Sequence, residues 1–325
     1  MRMSRFIVLD LARRLAEIIG GVLLSRSGYD QILLQRKHAV AELVLQERQR
    51  LSPGVAGIVF SKDRALQLFS MLHSYFGRVA NPAPLTVIYG ASSSAHEKAY
   101  LELMDSMAGH GSMLRFIPDR GEFRSSLLSV LDQMFCDKVF FLVDDIVFIR
   151  ELDLSVAERV DPYRAILSFR HGPHLRRSYT ADVGQSPPEF SPSPLGPNWL
   201  EFDWFEQGNE WSDPWSVDGQ VLATAEVRVL TRISEFKAPN TYEAALKTFN
   251  DMVRGRKGLC LEQSVTLNLP LNRVQSEVAN ICGTVSPEFL LGQWNQGMML
   301  DTTVFATHLP LAPHEEHPVR FVRRP

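Results

Sequence analysis

The chain has 325 residues, 45% of them hydrophobic and 22% charged, with a formal net charge of -3. This is the balance of a soluble globular protein with room for one large domain or two ordinary ones. The acidic balance argues against bulk nucleic-acid binding, which needs a basic face. The three cysteines, Cys136, Cys260 and Cys282, show neither zinc spacing nor a secreted disulfide framework, which points to a reducing cytoplasm.

Residues 1–52 read as a helical segment of two helices. Ile7, Leu11, Leu15, Ile18 and Val22 form one stripe, and a second helix is expected from about Tyr29 to Arg50. Residues 1–50 hold nine Lys/Arg and five Asp/Glu. Two uses fit such a segment: packing or homo-oligomer formation, or peripheral contact with an anionic membrane surface at the inner face of the membrane. Asp10, Arg13, Arg14 and Glu17 interrupt the N-terminal apolar run, so no signal peptide is expected.

Ser52-Pro53-Gly54 breaks the chain and opens the main domain, expected over 53–310. Val55–Phe60 reads as a strand ending in the polar turn Ser61-Lys62-Asp63-Arg64. An amphipathic helix carries Leu66, Phe69, Leu72 and Phe76. A second strand, Leu85–Tyr89, ends at Gly90-Ala91-Ser92. A helix from about Ala95 to Met107 leads to a third strand, Met113–Ile117, closed by Pro118-Asp119-Arg120-Gly121. A helix with Leu127, Leu128 and Leu131 precedes Val139-Phe140-Phe141-Leu142-Val143, which stops at Asp144-Asp145. Short, wholly apolar strands alternating with helices predict a mostly parallel α/β sheet covered on both faces. Ligands of such sheets bind outside the carboxyl ends of the strands. Two acids there can hold a divalent cation, and through it phosphates, by oxygen ligands.

Arg164–Phe169 is a fifth apolar segment, and residues 175–200, rich in Pro, Ser and Gly, read as a long functional loop. Trp199, Phe202, Trp204, Phe205, Trp211 and Trp215 then crowd together with Asp203, Glu206, Glu210 and Asp213. Such a cluster suits sugar recognition, because a pyranose offers an apolar face to an indole while acids bond its hydroxyls. Trp204, Trp215 and Asp203 are the acceptor-binding candidates, although several of these rings are expected to be core. Ser216-Val217-Asp218-Gly219 precedes a helix–strand segment, Asn240–Met252 reads as a helix, and Ser264–Leu269 and Asn272–Gln275 read as extended. Residues 311–325 form a C-terminal tail.

The order of Gly57-Ile58-Val59-Phe60-Ser61-Lys62-Asp63-Arg64, Gly90-Ala91-Ser92, Phe141-Leu142-Val143-Asp144-Asp145 and Ser216-Val217-Asp218-Gly219 resembles the GT-A class of nucleotide-sugar glycosyltransferases, the family 2-like bacterial enzymes, over roughly residues 55–230. The resemblance implies a GT-A, Rossmann-like fold with a nucleotide-sugar half over 53–170 and an acceptor half over 171–310. It implies Mg²⁺- or Mn²⁺-dependent transfer of a sugar from a nucleotide-sugar donor to a glycan or lipid-linked glycan, in bacterial surface polysaccharide synthesis. Ser61, Asp63 and Arg64 would approach base and ribose, and Tyr89 could stack on the base. Arg120, with Arg124, would meet phosphate. Asp145 would touch the metal, with Asp144 on the ribose or behind the metal ligand, and the late His308 would be a further metal ligand. Asp218 would be the general base of an inverting transfer. A nucleotidyltransferase on a similar sheet and a non-catalytic glycan-binding or scaffold protein remain alternatives. Ser61-Lys62-Asp63-Arg64 lacks the glycines a nucleotidyltransferase loop usually carries.

Overall fold

The structure is a computed structural model that describes residues 26–273 and 281–325. The first expected helix, and the Val274-Gln275 end of one extended stretch, lie outside the described residues. The chain divides into two compact units, 1–46 and 47–325. Helix α1 (Arg26–Arg48) covers most of the second expected helix. Among the described residues no helix is long and apolar enough to cross a membrane.

The larger unit is built on a nine-stranded sheet. Its strands are β1 (Ser52–Lys62), β2 (Leu85–Gly90), β3 (Leu114–Pro118), β4 (Cys136–Val143), β5 (Ala165–Ser168), β6 (Ser191–Pro192), β7 (Trp199–Asp203), β8 (Gln220–Ala223) and β9 (Lys257–Leu261). The spatial order is β6-β7-β9-β5-β8-β4-β1-β2-β3. Strands β3, β2, β1 and β4 are mutually parallel. Strand β8 runs antiparallel between β4 and β5, and β9 continues parallel to β5. The result is the mostly parallel, helix-flanked sheet that the alternating pattern predicts. Cys136, ahead of the apolar run, opens β4.

The apolar run in β4 is explained by burial on both faces. Val139, Phe140, Phe141 and Leu142 are all fully buried. Successive side chains point to opposite faces. Phe140 meets Tyr75 and Phe169, while Phe141 meets Phe60 and Tyr242. Helices α2 (Ala65–Arg78) and α3 (Ser94–Ser106) pack with a late helix, Pro287–Asn295. Helices α4 (Phe123–Asp132), α5 (Thr224–Ile233) and α6 (Pro239–Lys247) form a second group. Burying one large apolar side chain contributes about 1.5–3 kcal/mol, so the central strands anchor the unit. Gly57 in β1 is required by this packing. A Cβ there would lie 2.4 Å from Leu85 Cδ2 and 2.6 Å from the Phe140 ring.

The chain passes from β1 outward to β2 and β3, then crosses back to β4 on the other side of β1. A reversal of this kind leaves a crevice outside the carboxyl ends of the two central strands. The antiparallel β8 begins at that same rim, because its amino end lies beside the carboxyl end of β4.

Candidate functional site

A cleft of about 1350 Å³ opens at this rim. Its floor comes from the turns that follow β1 and β4. Asp144 donates its backbone N–H to the Phe60 carbonyl at 3.1 Å, which clips the two turns together. Its carboxylate is fully engaged. Oδ2 accepts from Ser61 Oγ at 2.8 Å and Lys62 N–H at 3.2 Å, and Oδ1 accepts from Arg64 Nη1 at 2.9 Å. The Ser61 hydroxyl also lies 2.6 Å from the buried Tyr100 hydroxyl. Arg64 is fixed from behind, donating through Nε to Asn272 Oδ1 at 2.9 Å and through Nη2 to the Asn272 carbonyl.

Asp145 is differently placed. Its contacts to Arg64 Nη1, at 3.4 Å, and to Asn268 Nδ2, at 3.5 Å, are long. Burial, reinforced by the charges of Asp144 and Asp218, pushes its pKa up to about 6 against the pull of Arg64 and His314. Burial of a charged form with little compensating hydrogen bonding is the usual cause of such a rise.

Asn268 reaches the site through strand register. The short strand Ile146–Phe148, just after Asp145, pairs antiparallel with Thr266–Asn268, placing Asn268 opposite Ile146. The C-terminal segment then docks on Asn268. The Asn268 N–H donates to the Pro313 carbonyl at 2.9 Å, and the Glu315 N–H donates to the Asn268 carbonyl at 3.1 Å. His314 is thereby inserted into the cleft wall.

The opposite wall carries Asp218, at the turn before β8. Gly219 holds this turn with φ of 94°, a conformation that favours glycine. It donates its N–H to the Phe141 carbonyl at 2.8 Å. The Asp218 carboxylate accepts from Arg170 Nη1 at 3.1 Å and lies 3.3 Å from His314 Nε2. Arg170 follows β5, is fully buried, and also bonds Glu210 at 2.8 Å. Burial works to raise the Asp218 pKa, but His314 and Arg170 together hold it below the usual carboxylate range. Asp218 is therefore ionised at neutral pH. Nearby Asp213 moves the other way. Burial and Glu243 push it up to about 7, against Lys247 and Arg170. Lys247 bridges the two acids at 3.0 and 2.7 Å.

Ser61, Arg64, Arg120, Asp144, Asp145 and Asp218 thus line one cleft. Asp63 serves the loop. It sits at φ of 56° and accepts the Ser92 N–H at 2.7 Å, tying the turn after β1 to the turn after β2. Tyr89 turns onto the sheet face against Tyr100, with centroids 4.7 Å apart, leaving Gly90, Ala91 and Ser92 at the cleft. Arg124 is committed to the Ser234 and Arg232 carbonyls.

Four further candidates do not line the cleft. Trp204 and Trp215 are buried core rings; Trp204 packs on Phe202 and His171 at 4.8 and 5.2 Å, and Trp215 is 0% exposed. Neither can offer a face to an acceptor. Asp203 lies outside the cleft lining, paired with Lys257 at 2.8 Å on the surface of β7 and β9. His308 is not beside Asp145. It pairs with Glu315 at 2.6 Å, outside the cleft lining. The late histidine at the cleft is His314. His171 is a core residue whose pKa burial depresses to about 3.

The chemistry of the donor set at Asp145 fits a hard divalent cation. The Asp145 carboxylate keeps lone pairs unused, and the buried Asn268 Oδ1 has no hydrogen-bond partner among the described residues. Carboxylate and amide oxygens are the ligands Mg²⁺ and Mn²⁺ accept. His314 Nδ1, also without a hydrogen-bond partner among the described residues, is buried in the same wall. Asn268, His314 and Arg170 carried no separate motif in the sequence. Only the docking of distant segments reveals them.

Fold and site together define an α/β protein with an acid-lined cleft at the carboxyl rim of a mostly parallel sheet. No family profile and no curated protein matches the sequence. Among solved structures the chain is similar to TarS of S. aureus, at 14% identity over 72% of this chain and 37% of that one, with a TM-score of 0.41. It is similar to the 4-diphosphocytidyl-2C-methyl-D-erythritol synthase of Anaerococcus prevotii, at 13% identity over 74% and 95% of the two chains, with a TM-score of 0.38. GalNAc-T7, in a structure with UDP, GalNAc and Mn²⁺, matches at 9% identity over 69% and 46%, with a TM-score of 0.40. At such distances the likeness assigns neither activity nor ligand to this chain.

Proposed function

We propose that this protein is a metal-dependent glycosyltransferase. It moves a sugar from a nucleotide-sugar donor to a glycan or lipid-linked glycan acceptor, with inversion, in bacterial surface polysaccharide synthesis. The carrying observation is the division of labour among buried carboxylates in one cleft. Asp144 is consumed in bracing Ser61 and Arg64, Asp145 keeps oxygens for a cation, and Asp218 is held ionised on the opposite wall.

Asp145 and Asn268 Oδ1 would hold Mg²⁺ or Mn²⁺, which supplies positive charge to a departing diphosphate. Ser61, Arg64 and Asp144 shape the donor side, while Lys62 and Arg120 at the cleft edge give it basic charge for phosphate. Asp218 accepts the proton of the acceptor hydroxyl as that oxygen bonds to the anomeric carbon. The bond from that carbon to the diphosphate breaks, and its electrons leave with the nucleoside diphosphate. The Arg170 guanidinium and the His314 imidazole beside Asp218 keep its carboxylate ionised, the form that can accept a proton. The cleft, about 1350 Å³, can admit a nucleotide and a sugar together.

The test is a thermal-shift screen of nucleoside diphosphates and their sugars, with and without Mn²⁺. A ligand that binds only the native state raises its stability by mass action. The proposal expects Mn²⁺-dependent stabilisation by a diphosphate nucleotide. Stabilisation only by nucleoside triphosphates would favour nucleotidyl transfer, and none at all would leave a non-catalytic protein.

A further inference from the structure

The C-terminal segment carries a second cluster, outside the cleft. His308 Nε2 lies 2.6 Å from Glu315 Oε2, and His317 Nε2 lies 2.9 Å from the same oxygen. The two imidazoles stand nearly perpendicular, at 85°, with centroids 4.7 Å apart. All three ligand atoms lie within 4.8 Å of one another. The other carboxylate oxygen, Oε1, accepts the backbone N–H groups of Leu311 at 2.5 Å and Ala312 at 3.3 Å, so Oε2 is aimed at the histidines. The His308 end is braced as well, because Arg150 donates to its carbonyl at 2.5 Å.

From this cluster we infer a transition-metal site, His308–Glu315–His317, that binds Zn²⁺ independently of the cleft cation. Two imidazole nitrogens and one carboxylate oxygen are the borderline donor set that suits Zn²⁺ rather than Mg²⁺. Tetrahedral zinc with ligand distances of about 2.0–2.1 Å places its ligand atoms about 3.3 Å apart. The present contacts of 2.6 and 2.9 Å need to open by about 0.7 and 0.4 Å to reach that spacing, and the two imidazole nitrogens already lie within 4.8 Å of each other. The ion takes the place of the protons now shared with Oε2. The three residues are 31%, 18% and 25% exposed, which leaves solvent a way to the remaining coordination position.

The site has a structural consequence for the cleft. Side chains alternate along this extended stretch. Glu315 and His317 face His308, whereas His314 contacts Asp218 and Glu316 accepts a hydrogen bond from the cleft residue Tyr179 at 2.6 Å. Zinc on one side of the segment therefore steadies the histidine presented on the other.

The experiment uses the whole chain, stripped with chelator and titrated with Co²⁺, whose visible d–d absorption reports a low-symmetry nitrogen–oxygen site. Wild type is expected to take up one such ion, displaced by Zn²⁺. H308A and H317A should each weaken uptake by about 10–100-fold or more, comparable to the effect of losing a supporting partner. D145N should retain it. Absence of the band in wild type overturns the proposal whether or not the variants fold. So does a band lost in D145N but kept in H317A, which would place the ion in the cleft. Failure of the cleft cation leaves this outcome untouched, so the two claims fail separately.

Discussion

Replacing Asp145 by Asn should make the metal-free protein more stable at pH 8. Folding raises the Asp145 pKa from 3.8 to about 6. A raised pKa means that the protonated carboxyl is the form the fold favours. Its stabilising contribution is full below about pH 4 and is lost as pH rises through about 6. Above that, wild type carries a buried charge whose cost, at 1.36 kcal/mol per pH unit over about two units, is about 3 kcal/mol. The amide keeps the shape and removes the charge. Urea unfolding of both proteins in chelator should therefore show D145N more stable by up to about 3 kcal/mol at pH 8, with Tm higher by roughly 5–10 °C. The gap should close below pH 4. Added Mn²⁺ should stabilise wild type more than D145N. A variant equal to or weaker than wild type at pH 8 would mean that Asp145 is not a desolvated charge and has no need of a cation.

The other substitutions separate chemistry from packing. D218N should keep donor binding but lose transfer by at least about 100-fold, the lower range for a general base; an Asn variant with ordinary turnover would remove Asp218 from that role. W215A should lower stability by about 3–5 kcal/mol, the usual cost of emptying a buried aromatic site. A more conservative W215F should leave acceptor KM unchanged, and a selective rise in KM would return Trp215 to the acceptor site.

The parallel half of the sheet was legible because of its burial. Strands β1, β2 and β4 are covered on both faces, so they read as short unbroken apolar runs, and the acids at the end of β4 stood out against them. Asp218 was legible as an acid beside a glycine, and the positive φ of Gly219 explains that pairing. The acceptor side was not. Phe202, Trp204, Trp211 and His171 form a packed aromatic group. An aromatic-rich stretch looks the same in sequence whether its rings line a cavity or fill a core, because the covering neighbours come from elsewhere in the chain. That His314 rather than His308 lines the cleft was hidden for a related reason. Alternation along residues 314–317 sends one histidine to the cleft and another to Glu315, and this depends on the docking of the segment against Asn268.

Donor binding at this cleft depends on Asp145 holding a cation that in turn holds a diphosphate. Calorimetric titration of a nucleoside diphosphate into wild type and D145N, each with and without Mn²⁺, tests it most directly. Binding to wild type should need Mn²⁺, and it should be lost in a D145N protein that is folded and, without metal, the more stable of the two. Equal affinity in all four titrations would contradict it.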